Sequence, residues 1–221
     1  MISWEPFFIT FKLAIITSSL LFIISIPVAY WLAYSRYKIK FIFEATVSLP
    51  LVLPPSVLGF YLLVVLGEES VVGAFLSEYF DLHLPFTFTG LVIGSIIYSL
   101  PFMIQPMQTG FQNLPLSLKE ASYTLGKSRY KTLFMVLLPN MKSSMLTGIV
   151  LSFAHTVGEF GLVLMIGGNL KGTRVASIAI YDSVNRLDYN AAHIYSLVLL
   201  LFSFITLLIV YSFNKRGIRS F

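Results

Sequence analysis

His155 and Glu159 stand four residues apart inside an otherwise apolar stretch, with Ser152, Thr156, Gly158 and Gly161 around them. On a helix that spacing puts the imidazole and the carboxylate on one face, within reach of a hydrogen bond. An ionised carboxylate at the centre of a membrane helix costs about 2.5–3.5 kcal/mol on insertion scales, so Glu159 is expected to face protein or water. One His and one Glu are too few ligands for a zinc site of the H-E-x-x-H kind, and no metal is assigned to this chain. Three roles stay open for the pair. It is a polar tie between helices, a direct part of gating or conduction, or the working couple of an intramembrane enzyme.

A second constellation lies in 112–142. Asn113-Leu114-Pro115 reads as a helix start, with proline near the first helical position. Leu116, Leu118, Ala121 and Leu125 give that helix an apolar side, and Gly126 is its expected stop. Another short helix, from about Arg129 to Leu137, is expected to end at Pro139. The octet from Ala121 to Gly126-Lys127-Ser128 nearly reproduces the nucleotide phosphate loop G-x-x-x-x-G-K-[ST]. That loop works because glycines let backbone N–H groups wrap phosphate between a strand and a helix. Here the first glycine is alanine, the intervening residues are bulky and the segment before them reads as helix. ATP is therefore assigned to another chain, and Lys127 to solvent or lipid headgroups.

The elements that must hold these groups follow from composition. The chain has 221 residues, 57% hydrophobic and 11% charged, against about 25% charged in an average soluble domain. Both a soluble domain and a disordered chain are excluded on that ground. With no Cys, a disulfide scaffold, a Cys-ligated metal and a cysteine nucleophile are excluded too. A helix needs about 20 mostly apolar residues to cross the hydrocarbon core. Five such stretches are found, at about 9–34, 45–66, 86–108, 143–166 and 191–213. The first has no basic flank before it and no cleavage site after it, so it reads as a retained helix rather than a signal peptide. In the second, Leu49-Pro50-Leu51-Val52-Leu53-Pro54-Pro55 predicts a broken helix near mid-membrane, since proline frees carbonyls that need other partners.

Charge gives the orientation. Eleven of the fifteen basic residues fall in 35–43, in 112–142 and in the tail with Lys215, Arg216 and Arg219. Segment 67–85 carries Glu68, Glu69, Glu78 and Asp81 and no Lys or Arg. The positive-inside rule then places the N-terminus outside and the C-terminus in the cytoplasm. The excess of base, which gives a pI near 9.4, marks one face of a bilayer, so nucleic acid is not expected as a partner.

Glu120-Ala121-Ser122, three residues, Gly126, nine residues, Val136, one residue, Leu138-Pro139 resembles the "EAA" loop of ABC importer permeases. That pattern reads Glu-Ala-Ala, then Gly, Ile and Leu-Pro at the same spacing, so Ser122 and Val136 depart from it conservatively. Gly158-Glu159-Phe160-Gly161 followed by Gly167-Gly168-Asn169, together with the proline-broken second stretch, resembles the molybdate permeases of the molybdate/sulfate group. Lys171 stands where that family often has proline. The closely related sulfate permeases are usually longer, with an additional helix, and the compact layout favours molybdate without excluding tungstate.

The resemblance implies an all-α polytopic membrane protein of type I ABC importer permease architecture, with one permease domain over 6–212. It implies a homodimer in the inner membrane on two ATP-binding subunits, served by an extracytoplasmic oxyanion-binding protein. No cofactor is expected on this chain, ATP and Mg lying on the partner ATPase, and no catalytic residue. It assigns coupling to the ATPase to Glu120, Ala121, Ser122, Leu125, Gly126, Leu138 and Pro139. The passage or its gate falls to Pro54, Pro55, Ser152, His155, Thr156, Gly158, Glu159, Gly161, Gly168 and Asn169. Spans nearly empty of Lys and Arg but supplied with Ser, Thr and Gly suit a dianion that must not be trapped. Lys171 and Arg174 at the outer mouth either attract it, pair with the binding protein or serve structure alone. An ion-gradient transporter is disfavoured, because Glu159 alone would be an intramembrane acid.

Overall fold

A computed structural model describes residues 3–218 of the chain. Arg219, one of the basic tail residues used for orientation, lies outside them. Every regular element is helical among the described residues: α1 (Glu5–Tyr34), α2 (Lys40–Ser48), α3 (Pro55–Leu66), α4 (Val71–Phe80), α5 (Phe88–Gln112), α6 (Leu116–Thr124), α7 (Arg129–Thr132), α8 (Leu138–Asn140), α9 (Lys142–Gly158), α10 (Gly161–Gly167), α11 (Ala176–Asn185) and α12 (Tyr189–Ile218). A 3₁₀ turn, Leu49–Leu51, extends α2, and a π turn, Leu133–Leu137, joins α7 to α8.

Among the described residues three helices are long and apolar enough to cross a bilayer: α1, α5 and α12 over Tyr189–Leu208. Two bent helix pairs are apolar enough to count as further spans if each pair is taken as one. Lys40–Leu51 and Pro55–Leu66 meet at 112°, and Arg129–Asn140 and Lys142–Gly158 at 79°. The first bend is the break expected from the prolines: Pro54 is extended (ψ 136°) and Pro55 opens α3, so no intrahelical bond can run through. The apolar stretch at 143–166 is not one helix. It stops at Gly158, leaves Glu159 extended (ψ 133°) and restarts at Gly161.

α1 is the spine. Thr10, Ala14, Thr17, Leu21, Ser25, Ala29 and Leu32 recur at three- and four-residue spacing and are all buried, a stripe of mostly small residues. Between membrane helices association rests on close packing rather than on water exclusion, and small residues permit that approach. α1 packs there against α5 and α9. At one end Leu21, Leu32, Met103, Met107, Phe111 and Leu138 form a core, and at the other Leu13, Leu91, Leu162 and Ile166 form a second. Leu200, Leu201, Phe204 and Ile205 of α12 stay exposed, as they would toward lipid.

The loop expected at 67–85 contains α4, begun by Ser70, whose hydroxyl accepts from the Gly73 N–H at 2.8 Å. Asp81 ends it in the left-handed region (φ 53°). α5 starts likewise on Thr87, whose hydroxyl accepts from the Gly90 N–H at 3.1 Å, and carries Pro101 and Pro106 in its interior.

Candidate functional site

Three irregularities meet beside the middle of α5: the proline start of α3, the end of α9 and the start of α10. They enclose a cleft of about 620 Å³ lined by Pro55, Ser56, Tyr98, His155, Glu159 and Gly161, among others. α3 reaches it by lying directly on α10. A Cβ on Gly59 would stand 2.8 Å from Met165 Cβ and 3.0 Å from Leu162 Cα. Only hydrogen fits there.

His155 and Glu159 do not bond to each other. The helix ends between them, so the expected shared face is lost, and each turns to a serine of α5. Ser95 Oγ donates to Glu159 Oε2 at 2.9 Å, and Ser99 Oγ meets His155 Nδ1 at 2.9 Å. Ser99 also lies 3.2 Å from Thr156 Oγ1, which donates to the Ser152 carbonyl at 2.9 Å. Ser177 of α11 donates to the Glu159 carbonyl at 2.6 Å, satisfying backbone that the helix break leaves open. Glu159 is 4% exposed, and its Oε1, like the buried Ser152 Oγ, has no partner within the described residues. Phe102 stacks on the His155 ring at 4.0 Å and 25°, with Tyr98 at 4.5 Å.

The cleft therefore presents hydroxyls, backbone, one imidazole and one carboxylate, with neither Lys nor Arg among its lining residues. Of the sequence-predicted residues, Pro55, His155, Gly158, Glu159 and Gly161 line it. Ser152 and Thr156 are buried behind it, and Pro54 is exposed at the α3 cap. Gly168 (φ 61°) ends α10 against the Phe86 ring and Asn169 follows, exposed. The seven residues of α10 put them about 10 Å further along the chain. Sequence reading missed Ser95, Ser99, Ser177 and Phe102. The available signal was the four-residue spacing of Ser95 and Ser99 in an uncharged stretch, which places both hydroxyls on one helix face.

Around α11, Arg174 donates to Asp182 at 2.8 Å and Arg186 to the same carboxylate at 3.1 Å. Arg174 is thus engaged within the chain, while Lys171 is exposed.

The 112–142 segment is two short helices about a glycine corner. Pro115 caps α6 rather than entering it. Gly126 closes the helix at φ 73°; its N–H donates to the Tyr123 carbonyl, and the Lys127 N–H to the Ser122 carbonyl at 3.1 Å, the paired bonds of a Schellman end. The Ser122 hydroxyl meets Thr132 Oγ1 at 2.9 Å, tying α6 to α7. The chain does not stop at Pro139: the helical path runs through α8 to Asn140 and bends at Met141. Leu138 is buried in the core with Leu21, Met107 and Phe111, whereas Glu120, Ala121, Leu125, Gly126 and Pro139 are exposed, Leu125 by 79%. Lys119 holds the segment to α1, its ammonium 4.0 Å from the Tyr34 ring centre.

Residues 25–219 match the family of the binding-protein-dependent transport system inner membrane component. A molybdenum transport system permease protein of Azotobacter vinelandii is 45% identical over 94% of this chain and 92% of its own length. A putative molybdenum transport system permease protein of Bacillus subtilis is 31% identical over 94% of the chain and 92% of its own length. A probable sulfate transport system permease protein of Chlorella vulgaris is 37% identical over 80% of the chain, which spans 66% of it. Among solved structures, a bacterial ABC transporter involved in the import of alginate matches with TM-score 0.75 and 16% identity over 97% of this chain and 80% of that one. The MetNI methionine ABC transporter matches with TM-score 0.67 and 16% identity over 95% and 96%. At such identity the likeness is one of fold.

Proposed function

The chain belongs to the family of binding-protein-dependent transport inner membrane components, and from that premise we propose that it carries molybdate across the cytoplasmic membrane as the membrane subunit of an ATP-driven importer. The observation that carries the substrate is the 45% identity to the Azotobacter molybdenum permease over nearly the full length of both chains. The shorter coverage of the sulfate relative supports the same choice. Tungstate and sulfate are the competing cargoes.

In this reading one permease domain spans 6–212, crosses the membrane five times with its N-terminus outside, and works as a homodimer. Two ATP-binding subunits hold ATP and Mg, and an extracytoplasmic oxyanion-binding protein delivers the cargo. The exposed face of α6 and its corner, with Glu120, Ala121, Leu125 and Gly126, meets the ATPase. Ser122 and Leu138 transmit the push, because they are the members of that set anchored in the chain. Pro139 marks where it reaches α9.

The dianion passes the cleft at Pro54, Pro55, Gly158 and Gly161. There the hydroxyls of Thr156 and of Ser95 and Ser99 on α5 hold His155 and Glu159 in place, with the Ser152 hydroxyl buried beside them. Neutral donors replace part of the cargo's hydration without the long residence a buried cation would impose. Gly168 and Asn169 stand toward the outer mouth.

Vesicles containing the chain, its ATPase and its binding protein test this. ATP-dependent uptake of molybdate in preference to sulfate is expected. Uptake of sulfate alone overturns the cargo, and activity of this chain without an ATPase overturns the permease. Since the natural chain has no Cys, single introduced cysteines at Glu69 and Lys127 report orientation: the first should react from outside and the second from the cytoplasm.

A further inference from the structure

α6 has two unlike sides. Leu116, Glu120 and Thr124 recur at four-residue spacing and are exposed. On the other side Leu118 packs against the core that holds Leu32 and Phe111, and Ser122 is buried. Lys119 belongs to this inward side, and what answers its charge is not an acid: among the described residues no carboxylate lies within ion-pair distance of it. Its ammonium stands 4.0 Å from the centre of the Tyr34 ring and 5.3 Å from that of Tyr30, a cation held on two ring faces. The rings are themselves fixed. They lie one turn apart on α1 with centres 5.0 Å apart, both meet Phe111 edge-on, and the Tyr34 hydroxyl donates to the Phe111 carbonyl at 3.0 Å. Phe111 is buried near the end of α5, so this aromatic seat already joins α1 to α5.

We propose that Lys119 is a positioning residue of the coupling segment, and that its cation, seated on Tyr30 and Tyr34, makes α6 carry α1 and α5 with it when the ATPase moves. This rests on the transport reading above and adds to it a contact outside its set of coupling residues. α6 packs its backbone mainly against α7 and the π turn, so its hold on α1 depends on side chains that reach across. Lys119 is suited to that task. The field of a ring face is broad, so a flexible stem keeps its ammonium attracted while α6 tilts, whereas a hydrogen-bonded ion pair demands one geometry. The Ser122–Thr132 bond ties α6 to α7, and the Lys119 seat ties it to α1 and α5. Without the seat, α6 swings on the α7 side alone, and part of each ATPase stroke is spent on that swing.

The test uses the assembled transporter, in detergent for thermal unfolding and in vesicles with its binding protein for uptake. Lys119→Met keeps the stem and removes the cation, and Lys119→Arg keeps the cation. Tyr34→Leu removes the ring, with Tyr30→Leu in its place should that variant not assemble, and Tyr34→Phe keeps the ring without its hydroxyl. Molybdate moved per ATP hydrolysed is expected to fall by a factor of about 2–5 in Lys119→Met and in Tyr34→Leu, the range that the strength of an exposed cation–π contact gives. The double variant should fall no further, and Lys119→Arg and Tyr34→Phe should stay near the parent. The shifts of the unfolding midpoint in the two single variants should likewise fail to add. An unchanged ratio in an assembled Lys119→Met transporter, with uptake and hydrolysis falling together, overturns the positioning role and leaves a structural contact. Midpoint shifts that add in full overturn the seat itself. A parent complex that moves sulfate and no molybdate removes the cargo assignment instead, and the same ratio measured with sulfate then decides the role of Lys119.

Discussion

Ser95 and Glu159 share a buried hydrogen bond of 2.9 Å that ties the middle of α5 to the gap between α9 and α10. It joins residues 64 positions apart and supplies the only partner of that carboxylate among the described residues, since Oε1 has none. A buried acceptor stripped of its donor costs about 1–3 kcal/mol. Ser95→Ala is therefore expected to lower the thermal unfolding midpoint of the purified complex in detergent. Glu159→Gln should stay near the parent, because the amide oxygen still accepts from Ser95. An unchanged midpoint in Ser95→Ala would show that the bond carries no stability.

Gly59 predicts an effect of a different kind. Its neighbours across the α3–α10 contact are backbone and a Cβ at 2.8–3.3 Å from where a methyl would sit, and none of these can swing aside. Overpacking of that sort costs about 1–3 kcal/mol. Gly59→Ala should shift α3 away from α10 and reduce the folded fraction after heating in detergent. Gly158→Ala, where nothing lies within 4 Å, should leave it unchanged and serves as the paired control.

The two helix breaks were not equally legible in the sequence. Prolines at 50, 54 and 55 announce the first, because a missing N–H is a local fact. The second has no proline. Glu159 is held extended by tertiary bonds from Ser95 on α5 and Ser177 on α11, which no local rule contains. Reading 143–166 as continuous therefore paired His155 with Glu159, when each is claimed by a different serine. α4 was hidden for a related reason. Glu68, Glu69, Glu78 and Asp81 read as an acidic outer loop, although Ser70 and the apolar run after it start a helix. The long apolar helices and the two short helices about Gly126 were legible because bilayer thickness and local stop signals act on sequence directly.

At the α6 corner, Gly126 has open space for a side chain but a φ of 73°. Alanine there is penalised by backbone alone, about 1–2 kcal/mol for an L-residue in the left-handed region. Proline, fixed near −65°, cannot form the turn at all. Gly126→Pro and Glu120→Lys are expected to leave membrane insertion intact and to uncouple ATP hydrolysis from uptake in reconstituted vesicles. Gly126→Ala should keep uptake with a modest loss of rate. Normal substrate-stimulated hydrolysis and uptake in Gly126→Pro would remove this segment from the coupling path.

Ser122 replaces the second alanine of the motif, and in sequence that exchange looks neutral. In the structure its hydroxyl is buried and meets Thr132 at 2.9 Å, so it ties the two short helices together. Ser122→Ala leaves Thr132 without that partner, and Thr132→Val leaves Ser122 alone. Changing both removes donor and acceptor together, so the double variant should cost less than the sum of the single ones. The coupling energy is expected at about 1 kcal/mol, the usual net worth of one such bond. A cycle that closes at zero would mean that the hydroxyls exchange partners freely and that α6 is not locked to α7. If the lock transmits movement, Ser122→Ala should also lower the number of cargo ions moved per ATP hydrolysed while leaving hydrolysis itself unaltered.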